Sequence, residues 1–315
     1  MIDDPLVSVI IPAWNSGALI GDTLRSVTGQ SWNRIEVIVV DDESSDDTAS
    51  VVAGCGDDRV RLIRQKHRGA SSARNNGLAN AHGDLIQFLD ADDILGPDKL
   101  SLQIDALRHE SGEAVASCTW SHFGEGMNSE HAVEEDICTE PDPIEWLTQS
   151  LSGANMMHPA AWLVPKTVAD AAGPWNEKLS LHDDGDYFAR VLVKATRNVF
   201  VRDAHVFYRA VHGSLSRRRS RSAIESAFAV CKSRHHALLT ARDSGRTREA
   251  IATQYAQFAY EFVRSAPDLA REAVAEISSL GVAPANRVGS QSFRRSVRLL
   301  GFRNALKLRR SFARG

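Results

Sequence analysis

The chain has 315 residues, 43% of them apolar, and a net charge of only −3 at pH 7, which allows one large core and excludes a disordered chain. No apolar run approaches the ~20 residues that a membrane-spanning helix needs, so no such helix is predicted. The first four residues, MIDD, lack the basic start of a signal peptide, and we therefore expect a cytoplasmic protein.

Four apolar segments in the first hundred residues predict β-strands. They are residues 6–11, 35–40, 60–63 and 85–89. The first is almost wholly apolar, which is typical of a parallel strand that is covered on both faces.

Helical patterns lie between and after these strands. Apolar residues recur at helical spacing over residues 20–27. Ser44 and Asp47 resemble a capping box that opens a second helix. Residues 69–81 are small, polar and helical, and Pro97 stands in the first turn of another helix. This alternation predicts a parallel, doubly wound sheet, in which ligands bind beyond the carboxyl ends of the strands.

The rest of the chain changes to a helical pattern towards its end. The elements predicted first are an acidic surface loop at residues 121–143, strands at 160–164 and 205–210, and a helix at 183–195. From about Ser222 onward only helices are predicted, with Gly245 and Gly281 as breaks. We therefore predict two domains, residues 1–222 and residues 223–315.

Polar groups directly follow three of the predicted strands. The segments are Pro12-Ala13-Trp14-Asn15, Asp41-Asp42-Glu43-Ser44 and Asp90-Ala91-Asp92-Asp93. Acidic loops are usually only solvated, but carboxylates at the ends of buried strands are penalised unless cations or donors face them. A divalent cation prefers such oxygen ligands and offsets the charge of a diphosphate leaving group. If strand geometry continued, Asp90 and Asp92 would project to the same side, and one could reach a metal while the other reached a ribose.

Four segments of the first hundred residues together resemble a known family. They are VSVIIPAWN, IEVIVVDDESSDDT, GASSARNNGLANAHGD and IQFLDADD. Each motif alone is modest, but the four in this order resemble the amino-terminal half of family 2 glycosyltransferases over residues 7–95. The resemblance implies an α/β fold of the GT-A type, a doubly wound mixed sheet, here with a C-terminal helical region.

The resemblance also implies roles for individual residues in binding a nucleotide sugar. Pro12, Trp14 and Asn15 would line the nucleotide pocket, Asp42 would bond the base, Arg74 would lie near the nucleotide, Asp90 would touch the ribose, and Asp92 would ligate Mg or Mn. Two alternatives stay open from the sequence. Trp14 could be an ordinary core aromatic, and Arg74 could be a solvated helix residue.

The second half of the chain carries a partial match to the family's E-D-x-D-x-W-x-R motif. The stretch is Asp183-Asp184-Gly185-Asp186-Tyr187-Phe188-Ala189-Arg190, with Asp183 in place of the usual Glu. The resemblance makes Asp184 the catalytic base, although acids in the first turn of a helix also favour its dipole. Residues 212–216 resemble the family's H-x-x-S-x-S segment, which would give His212 a role at the metal or diphosphate site; a structural His is the alternative.

The function implied is that of an inverting, hexosyltransferase-like glycosyltransferase of polysaccharide biosynthesis. It would use a divalent cation, Mn or Mg, and move a sugar from a UDP-sugar to a hydroxyl of a glycan or lipid-linked acceptor, with no nucleic acid as partner. One alternative is a nucleotidyltransferase, although the glycine-rich basic loop usual after the first strand of such enzymes is replaced by PAWN. The other is a non-catalytic protein that binds sugar nucleotides.

The small net charge hides an asymmetry that bears on partners. Residues 1–150 carry 27 acidic and 10 basic side chains, whereas residues 151–315 carry 13 acidic and 27 basic ones. Residues 287–315 hold nine Arg and Lys and no acid, and apolar residues recur among them at helical spacing. Such a basic amphipathic helix could lie on the inner face of an anionic membrane, or it could pack on the acidic half of the chain.

Overall fold

A computed structural model describes most of the chain. The described residues are 4–124, 132–133, 139–153, 157–209 and 220–311. The chain divides into two compact units. The first unit comprises Met1–Pro143, Met157–Glu177 and Arg190–Ser214, and the second comprises Ile144–Met156, Lys178–Ala189 and Leu215–Gly315. The predicted domains, residues 1–222 and 223–315, stay a prediction.

Strands and helices alternate through the first hundred residues, as predicted, and between residues 220 and 311 the structure contains helices but no strand. The strands are β1 (Val7–Ala13), β2 (Ile35–Asp41), β3 (Val60–Arg64), β4 (Leu85–Phe88), β5 (Ile94–Leu95), β6 (Ala114–Phe123), β7 (Ala132–Val133), β8 (Val164–Pro165) and β9 (Arg197–Arg209). The helices are α1 (Gly17–Thr28), α2 (Thr48–Ala53), α3 (Ala70–Ala79), α4 (Lys99–Leu107), α5 (Pro143–Gly153), α6 (Lys166–Ala172), α7 (Asp183–Leu192), α8 (Arg221–Ala241), α9 (Gly245–Phe262), α10 (Pro267–Ser279), α11 (Gln291–Leu300) and α12 (Phe302–Ser311).

The first unit contains a five-stranded sheet with the order β3-β2-β1-β4-β8. β1 pairs in parallel with β2 and β4, β3 pairs in parallel with β2, and β8 runs antiparallel to β4, so the predicted mixed α/β sheet is confirmed. α3 packs very close to β1, because a Cβ at Gly77 would lie 2.3 Å from Ile10 Cγ2. The last pair of β1 and β2 is Ala13 with Asp41, so the loops that follow these strands begin side by side.

A second sheet of the first unit has the order β5-β9-β6-β7. β6 and β9 run parallel with a register shift between Cys118 and Thr119, and the short β5 pairs antiparallel with β9. β5 directly follows the acidic segment 90–93, so its pairing with β9 holds the C-terminal end of that segment in place. Ile94 pairs with Phe207, which brings the end of β9 to Asp93.

The helices of the second unit pack mainly on α9. Tyr255, Phe258 and Phe262 of α9 are buried, and Phe258 lies 5.0 Å from Phe228 of α8 between ring centroids. α9 begins with a capping box in which Ser244 and Thr247 bond each other's backbone N–H. Within the described residues, no helix combines the length and the apolar character that crossing a membrane would require.

Two local predictions in the first unit are wrong. Ser44 does not cap α2, whose N-cap is Asp47 without a side-chain bond; the Ser44 hydroxyl instead accepts from the backbone N–H of Asn15. The segment 160–164 begins as a single 3-10 turn, Pro159–Ala161, because His158 accepts from the N–H of Ala160 and caps it. At Ser44 a hydrogen bond with the loop after β1 replaces the predicted cap, and at residues 159–161 the cap by His158 favours a 3-10 turn over the predicted strand.

The prediction of one loop over residues 121–143 also needs correction where the structure describes it. β6 extends through Phe123, β7 pairs with it at Ala132–Val133, and α5 begins at Pro143. Residues 287–315, called the basic tail below, form two helices rather than one in their described part. Gly301 adopts a positive φ of 75° and ends α11.

Candidate functional site

The loops after β1 and β2 bind each other through Asn15. Its backbone N–H donates to Ser44 Oγ at 2.9 Å, and its Oδ1 accepts from the N–H of Ser45 at 2.9 Å. Asn15 has a positive φ of 49°, a conformation that Asn tolerates better than most residues. The predicted site residue Asn15 therefore holds the two loops together.

Asp42 is buried at the end of β2 and surrounded by donors. Its Oδ1 accepts from Gln65 Nε2 at 2.7 Å and from the N–H of Arg68 at 3.0 Å. Its Oδ2 accepts from the N–H of Gly69 at 2.8 Å and lies 2.9 Å from His67 Nδ1. The three hydrogen bonds offset the desolvation of the carboxylate, and His67 Nδ1 also lies 3.2 Å from the backbone carbonyl oxygen of Asp42.

Trp14 lies beyond the end of β1 and is not a core aromatic. Its side chain is 51% exposed, and its ring centroid lies 4.9 Å from that of His67 at an interplanar angle of 34°. Pro12, two residues earlier in β1, is half-buried. A large aromatic face is thus presented next to Asp42, and His67 contacts both of them.

Arg74 is buried in α3 and is not a solvated helix residue. It donates to Asp90 Oδ1 at 2.7 Å, and its guanidinium lies 4.5 Å from the ring centroid of Trp175. Burial by itself would raise the pKa of Asp90, but the charge of Arg74 and its hydrogen bond outweigh it and hold that pKa below its usual value. Asp90 is therefore an ionised, positioned carboxylate at the end of β4.

The chain turns directly after β4, so Asp90 and Asp92 do not continue the strand as the sequence analysis assumed. The N–H of Asp93 bonds the carbonyl of Asp90 at 3.2 Å, which closes a turn over these four residues. Asp92 is half-buried at the tip of that turn. Burial, followed by the charges of Asp93 and Asp90, raises its pKa to about 7. Among these acids, Asp92 is the one whose negative charge is least compensated.

Asp93 and His158 form a buried pair that the sequence analysis missed. Asp93 Oδ1 accepts from the N–H of Arg209 at 2.9 Å, and Oδ2 lies 3.1 Å from His158 Nε2. Because His158 Nδ1 accepts from the N–H of Ala160, its proton stands on Nε2, facing Asp93. The position of Asp93 in the acidic segment 90–93 is the only feature of the sequence that points to a role for it. No sequence pattern around His158 predicts that it contacts this segment.

Two candidate positions for a divalent cation can be considered among the described residues. Asp90, Asp93 and His158 each place a ligand atom within 4.8 Å of the others. Asp93 Oδ2 is buried and makes no hydrogen bond among the described residues, although His158 Nε2 lies 3.1 Å from it, so a cation there would replace the proton on Nε2. Asp92 and Asp90 are oxygen ligands of the kind that Mg and Mn prefer, and the raised pKa of Asp92 would fall on binding a cation. Asp92 as a cation ligand therefore stays a prediction; the other predicted ligand, His212, lies outside the described residues.

A polar cavity of about 460 Å³ adjoins the Asp42 cluster in the first unit. It is lined by Gln65, Lys66, Arg68, Ser72, Asn75, Asn76 and Glu177. Glu177 accepts from Arg68 at 2.7 Å and from Asn75 at 2.9 Å, and Gln65 also donates to Asp42. Hydrogen-bonding groups therefore continue from Asp42 along one side of α3.

Asp184 belongs to the second unit and lies in the first turn of α7. Its Oδ1 accepts from the N–H of Gly185 at 2.7 Å, and the carbonyl of Gly185 accepts from Arg234 Nε of α8 at 2.8 Å. A Cβ at residue 185 would lie 1.8 Å from the Arg234 guanidinium, so any larger residue there would displace that side chain. Arg190 of the same motif belongs to the first unit, where it bonds the carbonyls of Ala172, Gly173 and Pro174.

Residues 8–161 match the model described as glycosyl transferase family 2. The chain is 25% identical to the glycosyltransferase GlyG of Streptococcus pneumoniae over 220 residues, which is 67% of this chain and 73% of GlyG. It is 40% identical over 107 residues to WfgD of Escherichia coli, a UDP-Glc:α-D-GlcNAc-diphosphoundecaprenol β-1,3-glucosyltransferase; that match covers 34% of this chain and 42% of WfgD.

Two solved structures are similar to the chain over nearly its whole length. Staphylococcus aureus TarS 1–349 in complex with UDP-GlcNAc gives a TM-score of 0.73 at 17% identity, covering 98% of this chain and 92% of the other. The mannosyltransferase PcManGT of Pyrobaculum calidifontis, in complex with GDP-Man and Mn²⁺, gives 0.55 at 17% identity, covering 100% and 89%. At this identity the likeness concerns the fold, and the predicted GT-A fold is confirmed.

Proposed function

Because the chain belongs to glycosyl transferase family 2 through its residues 8–161, we propose that it transfers a sugar from a UDP-sugar to a hydroxyl of a glycan or lipid-linked acceptor. The observation that carries the proposal is Asp92, a half-buried carboxylate at a strand end whose pKa is raised to about 7 by burial and by Asp93 and Asp90. A carboxylate at this edge of the sheet that takes a cation would suit a diphosphate donor.

The donor nucleotide would lie across the loops after β1, β2 and β4. Trp14 offers an exposed face for the base, and Asp90, held by Arg74, offers a carboxylate oxygen for the ribose hydroxyls. Arg74 is buried and fixed on both sides, by Asp90 and by the Trp175 ring, so it would keep that oxygen in place during binding. A cation at Asp92 would offset the charge that develops on the leaving diphosphate.

The acceptor would lose its proton to Asp184. This role comes from the position of Asp184 in the acidic motif of α7, and a carboxylate at a helix N-terminus stays ionised and able to accept a proton. Attack by the acceptor oxygen on the anomeric carbon would displace the nucleoside diphosphate with inversion. Cytoplasmic location and a role in polysaccharide biosynthesis remain part of the same proposal.

The products released from a nucleotide sugar test this function. We expect UDP-sugars with Mn to raise the melting temperature, because a ligand of the folded state stabilises it by mass action, and to be turned over with release of UDP. The measurement is a thermal-shift series over UDP-, GDP- and CDP-sugars, followed by phosphate analysis of the products. Release of pyrophosphate would instead identify a nucleotidyltransferase, and binding without turnover would identify a non-catalytic binder.

His67 makes both of the contacts that we propose for the base. Its ring lies against Trp14, and its Nδ1 lies 2.9 Å from Asp42 Oδ2. Three donors bond the Asp42 carboxylate, and the His67 ring covers the remaining approach to its Oδ2. Gln65 is half-buried, and Arg68 and Gly69 bond Asp42 through their backbone N–H, whereas the exposed His67 ring can turn away, so we propose that the base takes the place of that ring.

Substitutions of Trp14 and His67 should then have opposite effects on UDP affinity. Trp14→Ala removes the stacking face and should weaken binding roughly tenfold, whereas Trp14→Tyr keeps an aromatic ring and should stay within about threefold of wild type. His67→Ala should bind UDP at least as tightly as wild type. Calorimetry with UDP and Mn measures all three. Loss of affinity in His67→Ala would contradict the replacement of His67 by the base.

A further inference from the structure

The exposed large apolar side chains are concentrated in the basic tail. Among the described residues they are Trp14, Leu299, Leu300 and Leu308, and Leu299 is 84% exposed. Trp14 belongs to the proposed nucleotide site. The three leucines lie on α11 and α12 of the second unit, where nothing in the proposed transfer reaction requires them. A cluster of this kind on a surface typically marks a site of interaction.

The two tail helices are anchored on α9 by their opposite faces. Phe293 and Leu306 are buried, and the Phe293 ring lies 4.7 Å from that of Tyr260 in α9. The Arg309 guanidinium lies 3.8 Å from the centroid of the same Tyr260 ring and donates to the Tyr260 carbonyl at 3.0 Å. Part of the apolar stripe of the tail therefore packs on α9. Because these contacts hold the two helices in place, Leu299, Leu300 and Leu308 face the solvent.

The outward face that carries the leucines is also strongly basic. Its exposed cations are Arg295, Arg298, Arg303, Lys307 and Arg310. None of these five makes an ion pair in the part of the chain that the structure describes, and the sequence has no acid after Glu276. Helical spacing places Arg295 one turn before Leu299 on the same side of α11. Arg298 of α11 and Arg303, Lys307 and Leu308 of α12 are also exposed. Each helix therefore presents both apolar and cationic side chains to solvent.

We propose that α11 and α12 form a docking surface for an anionic lipid membrane. A lipid surface offers negative head groups to the arginines and an apolar layer to the leucines, so it satisfies both components of this face. A nucleic acid would satisfy the cations alone and would leave the leucines in water. The docking proposal rests on residues of the second unit and does not depend on the proposed sugar transfer. Either proposal can therefore be wrong while the other holds. If both hold, the surface would bring the site to a lipid-linked acceptor.

Vesicle flotation of the full chain tests the proposal. We expect binding to vesicles of phosphatidylcholine with phosphatidylglycerol, weak or no binding to phosphatidylcholine alone, and loss of binding at high salt, since salt screens exposed charges. Leu299→Gln, Leu300→Gln and Leu308→Gln combined should remove most of the binding. All three side chains point outward, so the melting temperature should stay near that of wild type.

A charge-matched pair of variants separates this surface from general electrostatic attraction. Arg295→Gln, Arg298→Gln and Arg303→Gln combined should lower the partition coefficient by about 10²-fold, because each basic residue near an anionic surface contributes about fivefold. Lys178→Gln, Arg242→Gln and Arg271→Gln remove the same charge from exposed positions elsewhere in the second unit and should have a much smaller effect. Equal losses in the two variants, or full binding by the leucine variant, would overturn the proposal, as would equal binding to neutral vesicles.

Discussion

Asp92→Asn is expected to abolish the metal-dependent part of nucleotide binding while the chain stays folded. Asn keeps the shape of the side chain and one oxygen ligand but removes the negative charge, so the gain in UDP affinity on adding Mn should fall by at least about 10²-fold. Calorimetry of UDP binding with Mn and with EDTA measures that gain. Asp98→Asn, the same change at an exposed acid of the next turn, should leave it unaltered.

The same substitution has a predictable effect on stability in the absence of metal. The pKa of Asp92 is raised to about 7 in the folded chain, so between about pH 4 and 7 the unfolded chain releases this proton while the folded chain retains it. The contribution of Asp92 to the stability of wild type therefore falls over this range as the pH rises, and Asp92→Asn lacks this contribution. The free energy of unfolding of the variant, relative to wild type, should increase from pH 4 to pH 7 in denaturant titrations.

His158→Gln distinguishes the two candidate cation sites. If the cation binds at Asp92, as we propose, this variant should keep the Mn-dependent gain within about tenfold, because His158 would act only through Asp93. If the gain disappears in His158→Gln and survives in Asp92→Asn, the cation binds instead among Asp90, Asp93 and His158, and Asp92 has no ligand role.

Asp184→Asn should separate the chemical step from donor binding. Asn has nearly the same size and polarity but cannot accept a proton, so transfer to an acceptor should fall by about 10²–10⁴-fold while UDP affinity stays near that of wild type. Single-turnover transfer and calorimetry on the same preparation measure the two quantities. Loss of UDP affinity in this variant would make Asp184 a ligand or a structural residue rather than the base.

The neighbouring acid Asp183 provides the control for this experiment. Asp183→Asn removes the same charge from the same first turn of α7, and so has the same effect on the helix dipole. If Asp184 acts as a base, Asp183→Asn should retain transfer within about tenfold of wild type. Comparable losses in both variants would indicate that the acids serve the stability of the helix end, since the dipole does not distinguish one from the other.

The sequence by itself determined the fold class and the place of the site. Strands β1, β2 and β4 are short apolar runs that can be buried only between covering layers, and their alternation with helices leaves a parallel sheet as the arrangement. Because parallel strands end at one edge, Trp14, Asp42 and Asp90 could be expected near each other from their positions alone. The local pattern was sufficient to predict these elements, because the spacing of apolar residues along the chain indicates a strand or a helix.

Only the tertiary structure decided how the charges at that edge are paired. The turn from Asp90 to Asp93 aims one acid at Arg74, another at His158 and leaves Asp92 between them, and these partners come from distant parts of the chain. The sequence also does not predict which apolar residues of the tail are buried. The chain bends at Gly301, part of the apolar stripe packs on Tyr260, and the rest is exposed to solvent. The physical reason is that the pKa and exposure of a side chain depend on whatever folds against it, which its neighbours in sequence do not encode.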